Sequence, residues 1–318
     1  MSRFSLLSSM AIALAGALSS CSSESDLLPE SEKTSTTFHI GLNTLSRSAQ
    51  SLNLANYDAK MYLYEGHDNG DGTVGYSQVR ELELTDNHLT VEDLNTKTSY
   101  KAVFLAVPKG QTPKLPDLYS ADIVPSYKEA TAGYINGNDD ETDKHIFRSI
   151  LSFVASANTG TQSTVLTRQN GALEVRIKNI PDMQSVKLQV KGHTTMYIHD
   201  GTGGQVITDG EPIVLSKTIT DGLGASEVRV KINLLPQENI ADAAGTNNYL
   251  EITTSTGTTK YPIKSDHPTI PIYPNQITWL TLGNGSGNFD VSFSGNINIE
   301  DEEWYGWIDI FKQQEDSL

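Results

Sequence analysis

The chain has 318 residues, of which 37% are hydrophobic and 19% charged, with 23 Lys and Arg against 39 Asp and Glu and a single cysteine. A formal net charge of −16 opposes phosphate backbones and argues against nucleic acid as a partner. One cysteine excludes an intramolecular disulfide framework and any multi-cysteine zinc site, while the length leaves room for two domains of about 100–200 residues each.

The first predicted element is a targeting segment. Arg3 is the only charged residue before Cys21, and Phe4 to Ala17 is apolar with small residues interspersed. That stretch falls short of the ~20 apolar residues a spanning helix needs and has the layout of a signal peptide. Its end, Leu18-Ser19-Ser20-Cys21, resembles the lipobox of bacterial lipoproteins. The resemblance implies cleavage before Cys21, diacylation of its thiol and acylation of the new amine. The plainer alternative is an ordinary signal peptide with a chance cysteine. Removing residues 1–20 takes Arg3 away and leaves 22 basic against 39 acidic residues, a net charge of −17. Stable attachment needs more than one acyl chain, which a bacterial lipoprotein carries. Residues 21–35 open with Ser22-Ser23-Glu24-Ser25-Asp26 and read as the acylated cysteine and a polar, flexible tether. Acidic residues just after the cysteine also resemble the surface-export signals of Bacteroidetes lipoproteins. The expected location is the outer membrane, lipid-anchored and facing outward.

Beyond the tether no long stretch carries apolar residues at helical spacing. Short β-branched or aromatic runs bounded by Gly, Asn, Asp and Pro recur instead, several with period-two alternation. Strands are predicted over Thr37 to Leu45, Ala59 to Glu65, Val79 to Leu84, Tyr100 to Val107 and Ile146 to Val154. Further strands are predicted over Ser163 to Thr167, Ala172 to Ile180, Ser185 to Val190, Thr194 to His199, Glu227 to Leu235, Tyr249 to Thr254, Ile277 to Leu282 and Phe289 to Ile297. In Ala172 to Ile180, Leu173, Val175 and Ile177 alternate with Glu174, Arg176 and Lys178, the pattern of a strand buried on one face and wet on the other. Pro108 to Lys144 is poor in strand pattern, long for a connection inside a compact domain, and carries the acidic cluster Asp139, Asp140, Glu141 and Asp143. The expected fold class is all-β, with two tandem β-sandwich domains of transthyretin-like or Greek-key type. A boundary near Ser156 to Gly160 gives an N-terminal sandwich over 36–157, a C-terminal one over 158–300 and an aromatic, acidic tail over 301–318.

Motifs for chemistry are sparse. His67-Asp-Asn-Gly-Asp-Gly72 has the glycine of a calcium loop, but His67 and Gln78 would stand where that loop requires carboxylates, so hairpin turn chemistry is the better reading. The seven histidines show no i, i+4 pair of the zincin type. His199 and Asp200 are adjacent, and strand neighbours point to opposite faces. Gly283 to Gly287 lacks the lysine of a P-loop, and there is no Gly-x-Ser-x-Gly elbow. No catalytic residue, metal ligand or cofactor is expected, and the chain is read as not an enzyme.

Two features point to interaction. The alternating run with Phe289, Val291, Phe293 and Ile297 precedes Trp304 and Trp307 near the chain end. It reads either as a segment docking on its own domain or as a strand offered to another subunit's sheet edge. The second feature is Arg47, directly after the first predicted strand and read either as an ordinary surface arginine or as a processing point. With the lipobox, the acidic tether, Ala59-Lys-Met-Tyr-Leu-Tyr64 and Leu166-Thr-Arg-Gln-Asn-Gly-Ala-Leu-Glu-Val175, the chain resembles the fimbrillin superfamily of Bacteroidetes, the lipoprotein subunits of type V pili. Its anchor and accessory branch is nearest. The resemblance implies a structural subunit whose partners are other fimbrial subunits and, through the lipid, the outer membrane. It also implies donor-strand completion, in which removal of the first strand after Arg47 opens a groove for a neighbour's C-terminal strand. Anchor members keep strand and lipid; stalk members are processed, here to a mature start at Ser48. A surface lipoprotein that holds host glycans through Trp304 and Trp307 is the rival from a different class.

Overall fold

The computed structural model describes residues 32–42, 57–109, 126–133, 145–157, 159–264, 269–282 and 289–296. These residues form eighteen strands and one 3₁₀ turn at Thr202–Gly204, so the protein is all-β as expected. In chain order the strands of the first half are β1 (Lys33–Leu42), β2 (Tyr57–Asp68), β3 (Val74–Glu83), β4 (His88–Asn95), β5 (Ser99–Pro108), β6 (Thr131–Gly133), β7 (Phe147–Val154) and β8 (Thr161–Arg168). Those of the second are β9 (Gly171–Lys178), β10 (Met183–Gly192), β11 (Thr195–Asp200), β12 (Val206–Asp209), β13 (Ile213–Ile219), β14 (Glu227–Leu234), β15 (Tyr249–Thr254), β16 (Gly257–Pro262), β17 (Gln276–Leu282) and β18 (Phe289–Asn296).

The first sandwich is one sheet folded over itself. Its order is β3-β2-β5-β7-β8-β1-β4, and β7 joins β8 through only Phe147↔Arg168 and Arg148↔Thr167, the corner at which the sheet turns. Between the two layers lie Phe38, Ile40, Met61, Leu63, Phe104 and Leu166, all essentially sealed from solvent. The second sandwich packs β13-β10-β15-β16 on β14-β9-β17-β18 around Leu173, Val175, Ile177, Leu188, Val230 and Leu280. The alternation read in β9 places Leu173, Val175 and Ile177 in this core. Glu174, however, is not on a wet face. Trp279 of β17 lies opposite it, Arg176 stands 4.3 Å from the Trp279 ring, and the Arg176 Nε donates to the Glu174 carboxylate at 2.7 Å. The indole and guanidinium exclude water from a carboxylate that the pattern alone assigns to solvent.

A third cluster lies on the other side of β2 and β5. Tyr62, Tyr64, Val103, Leu105 and Val107 pack there with Ala132 of β6 and with Met196 and Ile198 of β11. The central strands β2 and β5 are therefore covered on both faces. That explains why Tyr100 to Val107 is almost continuously apolar although its neighbours run antiparallel. The small sheet β12-β11-β6 makes this cover, and its strand β6 comes from a stretch expected to lack strands.

The hairpin after β2 is turn chemistry, as the sequence suggests. Gly70 and Gly72 take φ of 80° and 83°, which a side chain disfavours, and the Asp68 and Asp71 carboxylates accept from the backbone N–H groups of Gly70 and Thr73.

Candidate assembly interface

The N-terminal strand lies inside the first sheet and not at its edge. β1 begins at Lys33, four residues ahead of the expected start, and inserts between β4 and β8. It pairs antiparallel with β4 from Lys33↔Asn95 to His39↔His88, and parallel with β8 from Thr37↔Thr161 to Leu42↔Leu166. The alternation Thr36, Phe38, Ile40 faces the core, with exposures of 1%, 0% and 3%, while Thr37 and His39 face outward. The Phe38 ring meets Phe104 at 5.4 Å and Phe153 at 5.5 Å, both edge-on. Polar ties flank this ridge. The Thr34 hydroxyl donates to the Ser156 carbonyl at 3.1 Å, the Thr37 and Thr90 hydroxyls lie 2.9 Å apart, and the Ile40 N–H donates to the Asn87 carbonyl at 2.8 Å. One strand at the beginning of the described chain thus supplies the middle of a sheet and part of its core. Without it β4 and β8 would each present a bare backbone edge beside an uncovered apolar trough.

The other sequence-singled strand lies elsewhere. Phe289, Val291 and Phe293 fall on β18, whose backbone pairs antiparallel with β17 of the same chain from Leu282↔Phe289 to Gln276↔Asn296. β18 forms the outer edge of its sheet. Cys21, Arg47, Ile297, Trp304 and Trp307 lie outside the described residues. The acidic run at 139–143 lies outside them too.

Where the two sandwiches meet, the structure assembles a group that no linear motif announces. Arg148 of β7 is 4% exposed, and its guanidinium donates to the carbonyls of Tyr197, Ile198 and His199 on β11 at 3.0, 3.1 and 3.2 Å. It also pairs with the Asp200 carboxylate. Burial lowers the Arg148 pKa, and the adjacent Asp200 works against that fall. The Asp200 carboxylate is thereby committed to Arg148, while the His199 ring lies tilted against Tyr127 and Tyr197 with its Nδ1 3.2 Å from the Asp200 backbone carbonyl oxygen. Around this joint, burial pushes the Tyr127 phenol up to about 12 and raises Tyr62 and Tyr64 as well. Such phenols hold their protons at neutral pH and are unsuited to acid–base work. Among the described residues, no group of three or more His, Cys, Asp or Glu side chains converges in a way that could hold a metal ion.

No family model matches the chain, and no curated protein does. Solved structures are similar to it at low identity. A candidate cell adhesion protein from Bacteroides eggerthii aligns with 10% identity and a TM-score of 0.49 over 83% of this chain and 96% of its own. The fimbrial anchor protein Mfa2 from Porphyromonas gingivalis aligns with 13% identity and a TM-score of 0.41 over 84% of this chain and 99% of its own. The tip fimbrial protein Mfa3 from the same organism, truncated at its C-terminus, aligns with 12% identity and a TM-score of 0.41 over 83% and 99%.

Proposed function

We propose that this protein is a subunit of a surface fimbria, held at the outer membrane by lipid on Cys21, in an anchor or accessory position, and joined to its neighbours by β-strand complementation. The supporting observation is the setting of β1: an N-terminal strand lodged between β4 and β8, with Thr36, Phe38 and Ile40 closing the core. A strand seated by backbone ladders on both sides and by alternate buried side chains is the kind of element that an equivalent strand from another chain can replace. The anchor form retains β1 and its lipid. Deleting the gene should shorten, detach or abolish fimbriae; unchanged assembly, length and surface retention would refute the proposal.

A processed stalk subunit is the second reading, favoured by one observation. Arg47 falls between the end of β1 at Leu42 and the start of β2 at Tyr57, so a cut there would free β1 and leave every later strand on one piece. Intact-mass analysis of surface material separates the two. An acylated Cys21 still joined to the sandwiches is the anchor result, and a chain beginning at Ser48 is the stalk result.

A further inference from the structure

On the outward face of the first sandwich, β1 and β4 place two histidines directly opposite each other. His39 and His88 are cross-strand partners, both exposed, with ring centroids 4.1 Å apart at an interplanar angle of 74°. The flanking outward positions are neutral: the Thr37–Thr90 hydroxyl pair lies one step along, and Ser163 of β8 lies beside His39. Asp86, at the mouth of β4, brings its Oδ1 to 4.0 Å from His88 Nδ1 and is the charged group set against the pair.

We infer that His39 and His88 form a chelating site for a divalent transition-metal ion of the zinc, nickel or copper class, and that the ion clamps β1 onto β4. Imidazole nitrogen suits these metals. Directly opposed residues of an antiparallel pair have Cβ atoms about 4.5–5.5 Å apart, close enough for two rings to turn toward one ion. Exposure leaves both rings free to make that turn and leaves room for water in the remaining coordination positions. Among the described residues no third ligand completes a closed cage, so the site is a two-histidine chelate of the open kind. The nearby Asp86 carboxylate partly offsets the charge of the ion. Because binding favours the state in which both strands are paired, the ion stabilises the seating of β1. The role of the clamp in subunit exchange rests on the strand-complementation reading; the metal site itself does not.

The test uses the purified full chain in detergent, titrated calorimetrically with ZnCl2 and NiCl2, with MgCl2 as control. One saturable zinc site is expected, weakened at least tenfold in His39→Gln and equally in His88→Gln, and unchanged in His193→Gln. Zinc should raise the unfolding temperature of the natural chain and not that of the double variant. Absence of saturable binding, or undiminished affinity in either single variant, would overturn the site. Binding without a rise in unfolding temperature would overturn the clamp. Neither result bears on whether fimbriae assemble, which the deletion experiment reads separately.

Discussion

Single side chains do two different jobs in this fold, closing cores and pinning irregular backbone. Asp242 is the clearest of the second kind. In the long connection from β14 to β15 its carboxylate accepts from the backbone N–H groups of Gly245, Asn247 and Asn248 at 3.0, 2.7 and 3.1 Å. Asn248 then passes the connection on, donating to the Ile240 carbonyl and accepting from the Lys191 N–H, both at 2.7 Å. Desolvation raises the Asp242 pKa, but the facing amides outweigh it and the net shift is downward. A carboxylate depressed in the folded state adds stability above its unfolded pKa of about 3.9, and that stability is lost as pH falls through the lower folded value. Asp242→Asn is therefore expected to cost about 1 kcal/mol near pH 6, the effect being trimmed by solvent around a half-exposed group. Thermal melts from pH 6 to pH 2.5 should show a smaller acid loss in the variant than in the natural chain. Nothing in the sequence marks Asp242 apart from other acidic loop residues, because its role depends on how the backbone curls around it.

At the scale of the element, loss of β1 would uncover β4, β8 and part of the first core. Phe38→Ala should destabilise the chain by about 3–5 kcal/mol, since a ring sealed between Phe104 and Phe153 leaves a cavity that its neighbours fill only partly. Thr37→Ala, one position away on the outward face, should cost less than about 1 kcal/mol. Urea unfolding of both variants checks the contrast. The sequence made β1 legible through its alternation, and β-branched or aromatic runs, alternating or continuously apolar, made β2, β3, β5, β7, β8, β9, β10, β11, β14, β15, β17 and β18 legible as well. It did not show β4, β12, β13 or β16, all of them at sheet ends, although the equally terminal β3, β14 and β18 were legible. In β16, Gly257 to Lys260 is exposed throughout, so no buried face writes a period into the sequence. β6 was hidden by length, with three residues held by β11 alone. The candidate interface was half legible. A strand ahead of Arg47 could be read, whereas its insertion between β4 and β8, and hence the His39–His88 pairing, follows from register between segments far apart in sequence.

For the whole molecule, the joint between sandwiches decides whether the two cores behave as one. The Tyr62–Val103–Met196 cluster and the Arg148 guanidinium tie β2, β5 and β7 to β11. Arg148→Ala removes the donor that three carbonyls share and leaves them buried without it, a loss of about 3 kcal/mol. Asp200→Asn should cost less, because the carbonyls still hold the cation and Asp200 is itself 39% exposed. Calorimetry of the natural chain should give one transition, and Arg148→Ala should split it into two. The −16 charge was legible at once, yet the joint was not, since Arg148 looks like any outward residue of an alternating strand. The position of β1 carries one more consequence, a mechanical one. A pull on the chain ahead of Lys33, directed along the strand, loads the β4 and β8 ladders together in shear, so that many backbone hydrogen bonds must fail at once and none can be peeled singly. Forced unfolding is set by the unfolding rate and not by equilibrium stability, so a tether joined at that point would grip hardest when pulled along β1.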